Sequence, residues 1–149
     1  MILNRLELKD KILKLKSNNK KTVFTNGCFD ILHLGHHTYL KQSSNLGDFL
    51  VVAINSDESV KLLKGSDRPI NNQNDRKFFL ESLKYVDKVF VFDEDTPYNL
   101  IKNILPDLIV KGGDYAPEDV IGNNLCRVVI FDVVEGYSTT KKIQDIIDR

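Results

Sequence analysis

Residues 49–55 read Phe-Leu-Val-Val-Ala-Ile-Asn, an apolar run unbroken until its last position. A strand with one wet face would alternate polar and apolar residues. This run therefore predicts a strand covered on both faces, as in a parallel sheet sandwiched between helices. Four other segments predict further strands: 22–26, 88–92, 108–111 and 128–134. Helical patterns lie between them. Leu6, Leu8, Ile12, Leu13 and Leu15 form a loose stripe amid lysines, giving a helix over about 6–16. A second is expected over 36–46, closed by Gly47 as a C-terminal cap. Ser56-Asp57 caps a short helix through Leu63, and residues 75–85 form another, with Phe78, Phe79, Leu80 and Leu83 on its core side. Thr96 and Pro97 open the next as cap and first residue. Ser138 caps the last, which runs to about Ile147. Residues 64–74, with Gly65, Pro69 and three asparagines, read as a loop. Alternating strands and helices predict an α/β fold with one doubly wound parallel sheet. At 149 residues the expectation is a single domain over 1–149, with 1–19 as an N-terminal helical extension.

Twenty-one basic residues balance twenty-one acidic ones, so no bulk field draws the chain to nucleic acid or a membrane surface. Any anion site must be local. Cys28 and Cys126 form no Cys-x-x-Cys pattern, which argues against a metal centre or disulfide framework and fits a reducing cytoplasm. Charge interrupts the first residues too soon for a signal peptide, and no apolar run is long enough to span a bilayer. The expected location is cytoplasmic.

The candidate chemistry begins at Thr25-Asn26-Gly27-Cys28-Phe29-Asp30-Ile31-Leu32-His33-Leu34-Gly35-His36. A strand runs into a glycine turn, and two histidines flank Leu34-Gly35 where a helix should begin. The first-turn N–H groups of a helix are unpaired, and its dipole favours negative charge there. Gly35 permits close approach of a ligand, and imidazoles can donate to phosphate oxygens. A pair of histidines at a helix cap would also look like this. The phosphate reading is preferred because the other candidates follow predicted strands at the same sheet edge: Asn55 and Asp57, Lys111 to Asp114, and Ser138-Thr139-Thr140. Ligands bind at that edge, where strand order reverses. Lys64, on a glycine-bearing loop, and Arg76 are the expected triphosphate clamps. Ser138 also fits a plain helix cap, Gly112-Gly113-Asp114 a tight turn, and Lys111 an ion-pair partner of Asp114. Asp30 is open between a turn carboxylate and a sugar contact, and Arg68 between a ligand and a residue that orders its loop.

Gly27-Cys28-Phe29-Asp30 with His33-Leu34-Gly35-His36 resembles the signature of the cytidylyltransferase-like nucleotidylyltransferases, of the HIGH superfamily. Leu63-Lys64-Gly65 with Arg68-Pro69, Val110 to Tyr115, and Gly136-Tyr137-Ser138-Thr139-Thr140 narrow the resemblance to the adenylyltransferases that make ADP-heptose. It covers the chain from about Lys20 onward. It implies a Rossmann-like fold and transfer of AMP from ATP, with Mg²⁺, to D-glycero-β-D-manno-heptose 1-phosphate for lipopolysaccharide core synthesis. His33, His36 and Lys64 are the implied catalytic residues. Asn26, Gly27, Cys28, Phe29, Gly35, Arg76, Lys111, Gly113, Asp114, Ser138, Thr139 and Thr140 are the implied nucleotide contacts. Asp30, Asn55, Asp57 and Arg68 would serve the sugar phosphate, and no side chain is expected to hold the metal. Glycerol-phosphate cytidylyltransferases usually carry an arginine before the Glu-Gly of the last motif, where this chain has Val133-Val134. In many bacteria the heptose activity is fused to a sugar kinase. The resemblance here is to the free-standing form, acting beside a separate heptose 7-phosphate kinase. The leucines of the first helix are left to pack on the domain or on the second subunit of a homodimer.

Overall fold

A computed structural model describes residues 4–113, 115–132 and 136–149. The elements in chain order are α1 (Arg5–Ser17), β1 (Thr22–Gly27), α2 (Leu34–Ser44), β2 (Phe49–Asn55), α3 (Asp57–Lys64), α4 (Gln73–Glu81), β3 (Lys88–Phe92), α5 (Tyr98–Ile104), β4 (Leu108–Gly112), a short 3-10 turn (Pro117–Asp119), β5 (Arg127–Phe131) and α6 (Thr139–Ile147). The strands form one all-parallel sheet in the order β3-β2-β1-β4-β5. After β3 the chain crosses to the other side of β1, so strand order reverses between β1 and β4. That gap is the switch point where an α/β sheet opens for a ligand.

The central strands are apolar on both faces because each face carries its own core. Phe24, Val51, Ala53 and Ile109 pack with Leu8 and Ile12 of α1 and with Leu100, Ile101 and Ile104 of α5. Val23, Leu50, Val52, Ile54 and Val110 pack with Leu40 of α2 and Leu80 of α4 on the other face. α1 is thus part of the core rather than an appendage. Its buried stripe is Leu8 and Ile12, while Leu6 and Leu13 face solvent. Register is pinned by a repeated device. Asp48, Asp87 and Asp107 each stand just before a strand, and each accepts from a backbone N–H at the start of its neighbour: Lys21 at 2.8 Å, Leu50 at 2.7 Å and Thr22 at 2.8 Å. Each bond satisfies a donor that the parallel ladder leaves over.

Several elements differ from the sequence expectation. α2 ends at Ser44 with Asn45 as its cap, so Gly47 is not the helix terminator. A side chain at Gly47 would come within 2.7 Å of Val23 Cγ2 and 2.8 Å of the Lys21 carbonyl oxygen, so the glycine answers to packing. α3 extends through Lys64, which is therefore helical. α4 begins earlier than expected, with the Asn72 side chain accepting from Asp75 N–H at 2.9 Å. Its inward positions are Arg76 and Leu80, one turn apart, which leaves Phe78 68% and Phe79 43% exposed on the outside. β5 stops at Phe131. Of the rest of the expected fifth strand, Asp132 lies beyond β5, and Val133 and Val134 lie outside the described residues.

Candidate active site

β1 delivers Asn26 and Gly27 to the switch point, and Phe29 turns the chain with φ 49°. The Phe29 ring lies against Gly27, where an added Cβ would sit 3.0 Å from Cε2, and it tilts toward His36 at 5.3 Å between centroids. α2 then starts with His33 as N-cap. His33 Nδ1 accepts from His36 N–H at 3.4 Å, and His36 Nδ1 accepts from His33 N–H at 3.3 Å. The two imidazoles form a reciprocal capping box and stack at 3.8 Å. Accepting at Nδ1 places the proton of each neutral ring on Nε2. Both rings therefore present an N–H donor on the side away from the helix backbone. Burial, aided by the charges of His33 and His37, pushes His36 down to about 4. Burial also lowers His33, with Lys142 and His37 contributing. Both rings are neutral donors at ordinary pH.

These groups border a cleft of about 240 Å³, lined by Asn26, Gly27, Cys28, Phe29, His33, Gly35, His36 and Lys111. A second cavity of about 250 Å³ lies beside it and shares Asn26, Gly27, Cys28 and Lys111. Asn55, Leu63, Asp95, Thr96, Tyr115 and Asp119 also line it. Gly35 is tightly placed: an added Cβ would lie 2.8 Å from His33 Cε1 and 2.9 Å from Nδ1. Gly35→Ala is favourable for a helix by up to roughly 1 kcal/mol. We expect it to lower activity roughly 100-fold by displacing the His33 ring about an ångström. Thermal melting should be unchanged or improved. Wild-type kcat/KM in a folded Gly35→Ala protein would show that the His33 position does not matter.

Residues 24–145 match the family described as Cytidylyltransferase-like. The chain belongs to the cytidylyltransferase-like family. It is 56% identical over 131 residues to a bifunctional protein HldE of Nitratiruptor, covering 87% of this chain and 28% of that protein. It is 54% identical over 147 residues to the HldE of Campylobacter concisus, covering 98% and 31%. The chain thus spans less than a third of the length of these curated relatives. Among solved structures, a lipopolysaccharide core biosynthesis protein from Thermoplasma volcanium superposes with a TM-score of 0.64 at 31% identity, covering 80% of this chain and 99% of that one.

Within this cytidylyltransferase-like domain, several expected ligand residues make scaffold contacts. Arg76 is fully buried. Its Nη1 donates to the Cys28 and Asn55 carbonyls, both at 2.8 Å, its Nε to the Asn71 carbonyl at 3.0 Å, and its Nη2 to Asp57 at 2.9 Å. These bonds use four of the five guanidinium N–H donors, so Arg76 braces the site with Asp57 as its partner. Asp30, 2% exposed, accepts from Arg68 Nε at 3.1 Å and from the Ile70 and Asn71 N–H groups at 2.8 Å. Asp30 and Arg68 therefore order the loop between α3 and α4. Asn55 lines the second cavity, but its amide donates to Ser59 at 2.9 Å.

Ser138 caps α6 by accepting from Lys141 N–H at 2.9 Å, and Thr139 donates to the Ile31 carbonyl at 2.9 Å. The Thr140 side chain is exposed. Gly113 has φ 100° and donates its N–H to the Phe131 carbonyl at 3.0 Å. Asp114 lies outside the described residues. Lys64 lines neither cavity; it ends α3 beside Leu63, close enough for its charge to oppose the upward effect of burial on the Cys28 thiol.

Sequence reasoning missed Tyr39, Gln42, Asp132 and Tyr137 as cleft residues. Tyr39 lies three residues beyond His36 on α2, a spacing that shares a helix face. It donates to the Val110 carbonyl at 2.7 Å and pairs with the Thr25 hydroxyl, and burial raises its phenol. Tyr137 stacks with His33 at 6.2 Å. Among the described residues no helix is long and apolar enough to cross a membrane.

Proposed function

We propose that this chain acts as one domain transferring AMP from ATP to D-glycero-β-D-manno-heptose 1-phosphate, giving ADP-heptose and pyrophosphate. The observation that carries the reading is the stacked His33–His36 pair, each ring tied at Nδ1 and therefore offering Nε2–H at the switch point. An acceptor phosphate oxygen attacks the α-phosphorus. The bond from that phosphorus to the bridging oxygen breaks, and pyrophosphate leaves with the electron pair. The acceptor phosphate is already ionised near pH 7, so no general base is needed. The work of the protein is alignment and stabilisation of charge on the phosphate oxygens. His33 and His36 donate to the α-phosphate and the departing pyrophosphate, and Lys64 reaches the triphosphate from the end of α3. The described residues contain no group of three or more His, Cys, Asp or Glu able to hold a metal ion. Mg²⁺ would be held chiefly by phosphate oxygens and water, where it offsets charge.

The adenine and heptose assignments rest on the motifs quoted above, on Val133-Val134 standing where glycerol-phosphate cytidylyltransferases usually carry arginine, and on the relatives' names. A heptose 7-phosphate kinase, in this chain's protein or another, would act upstream in the cytoplasm, and a phosphatase would have to remove the 7-phosphate of its bisphosphate product to give the acceptor. Pyrophosphate release decides the matter. ATP, Mg²⁺ and the heptose 1-phosphate should give turnover clearly faster than CTP with the same acceptor. Faster reaction with CTP, or with glycerol 3-phosphate, would replace the adenylyltransferase reading with a cytidylyltransferase one. ATP binding with no turnover on any phosphate acceptor would make the domain a nucleotide-binding module.

A further inference from the structure

Two phosphorylated substrates must meet at the seam between the cavities. Only one lysine or arginine among the described residues lines either cavity, and it lines both: Lys111. It is next to last in β4, at the switch-point edge of the sheet. Its Nζ donates to the Asn26 carbonyl at 3.1 Å, across the gap between β4 and β1, and lies 5.5 Å from the Tyr115 ring centroid. An ammonium has three donors, so one bond to Asn26 leaves it able to address a ligand on each side.

We propose that Lys111 is a catalytic residue that bridges the α-phosphate of the nucleotide in the first cleft and the phosphate of the acceptor in the second. This rests on the adenylyl-transfer reading and deepens it, because it assigns the second cavity to the sugar phosphate. The physical need is plain. The reacting atoms must come within about 3–3.5 Å, and both groups are anions that repel at that range. A cation fixed between them offsets the repulsion and holds the acceptor oxygen in line.

The surroundings of Lys111 give the idea a distinctive readout. Burial pushes its ammonium down to about 8, with Cys28 acting in the opposite direction. The ionisable groups lining the two cavities around it are Cys28 after β1, His33, His36 and Tyr39 on or beside α2, Asp132 after β5, Tyr137 before α6, and Asp95, Tyr115 and Asp119 in the second cavity. In the free enzyme the charged, competent form is lost as pH rises through about 8. Bound phosphates favour the ammonium, so the limb seen in kcat should lie higher than the limb in kcat/KM.

The test compares wild type with Lys111→Met and Lys111→Arg, using ATP, Mg²⁺ and heptose 1-phosphate. Lys111→Met should lower kcat/KM for both substrates by on the order of 100-fold. Lys111→Arg should recover part of that loss. It should also abolish the alkaline limb near pH 8, since a guanidinium does not titrate there. Unchanged kinetics in a folded Lys111→Met protein would overturn the proposal. So would a loss confined to the KM of one substrate, or an alkaline limb that persists in Lys111→Arg. If wild type transfers nothing to any sugar phosphate, the adenylyl-transfer reading falls separately. The placement of Lys111 against the nucleotide is then judged by calorimetry with ATP. Binding that weakens above pH 8 in wild type but not in Lys111→Arg supports it, and binding indifferent to both changes overturns it.

Discussion

Replacing His36 with alanine should lower turnover roughly 100- to 1000-fold, the usual cost of one preorganised donor to a developing oxyanion, while the KM for ATP changes little. A group that acts mainly in the transition state affects kcat and spares ground-state binding. The capping box makes His36 such a group. Its Nδ1 is occupied by the His33 N–H, so Nε2–H has a fixed direction before substrate arrives. Steady-state kinetics on folded His36→Ala check the point, and near-wild-type turnover would reduce the pair to a helix cap. The same ring predicts a pH effect on stability. Its folded value, about 4, lies below the ordinary 6.5, so between those values the unfolded chain binds more protons than the native one. Stability is fully present above about pH 6.5 and is lost as pH falls toward 4. The His36→Ala protein should show a shallower loss over that window in urea titrations. An identical slope would place the titration elsewhere.

The fold was legible because its signals are repetitive. An unalternated run as short as 49–55, rich in valine and isoleucine, reads as a doubly covered strand, and strand–helix alternation then leaves a parallel sheet. Helix phase was less legible. Residues 75–85 contain two adjacent phenylalanines, and hydrophobicity alone turns them inward. The structure turns Arg76 and Leu80 inward instead, because Arg76 meets three carbonyls and a carboxylate there. No pattern of apolar spacing reports that a charged side chain has a polar socket waiting for it. The same blindness affected the site. His33, His36, Gly35 and the Asn26–Phe29 turn were readable because they are contiguous and sit where a helix dipole and a strand end coincide. Asp30 and Arg68 stayed open between ligand and scaffold because a carboxylate or guanidinium near a phosphate motif fits either role. They find each other across thirty-eight residues, a pairing visible only in three dimensions.

Arg76 offers the sharpest separation of scaffold from ligand. Its guanidinium is wholly buried while its partner Asp57 remains partly exposed, so the ion pair depends on the protein supplying every other acceptor. Removing one partner of such a pair typically costs about 3–5 kcal/mol, because the remaining polar groups lose their bonds without regaining water. In Arg76→Met, the Cys28, Asn55 and Asn71 carbonyls would lose their donor, and those residues join the β1 turn, the end of β2 and the cap of α4. At roughly 2–4 °C per kcal/mol for a domain of this size, the melting temperature should fall by about 6–20 °C. Arg76→Lys should recover little, since a single ammonium cannot span four acceptors set around a planar fork. Thermal and urea unfolding measure the loss, and ATP calorimetry below the lowered transition separates the two roles. A scaffold residue leaves the affinity of the folded fraction near that of wild type. Wild-type stability with lost ATP affinity would return Arg76 to the triphosphate, and would mean that the socket opens when the nucleotide binds.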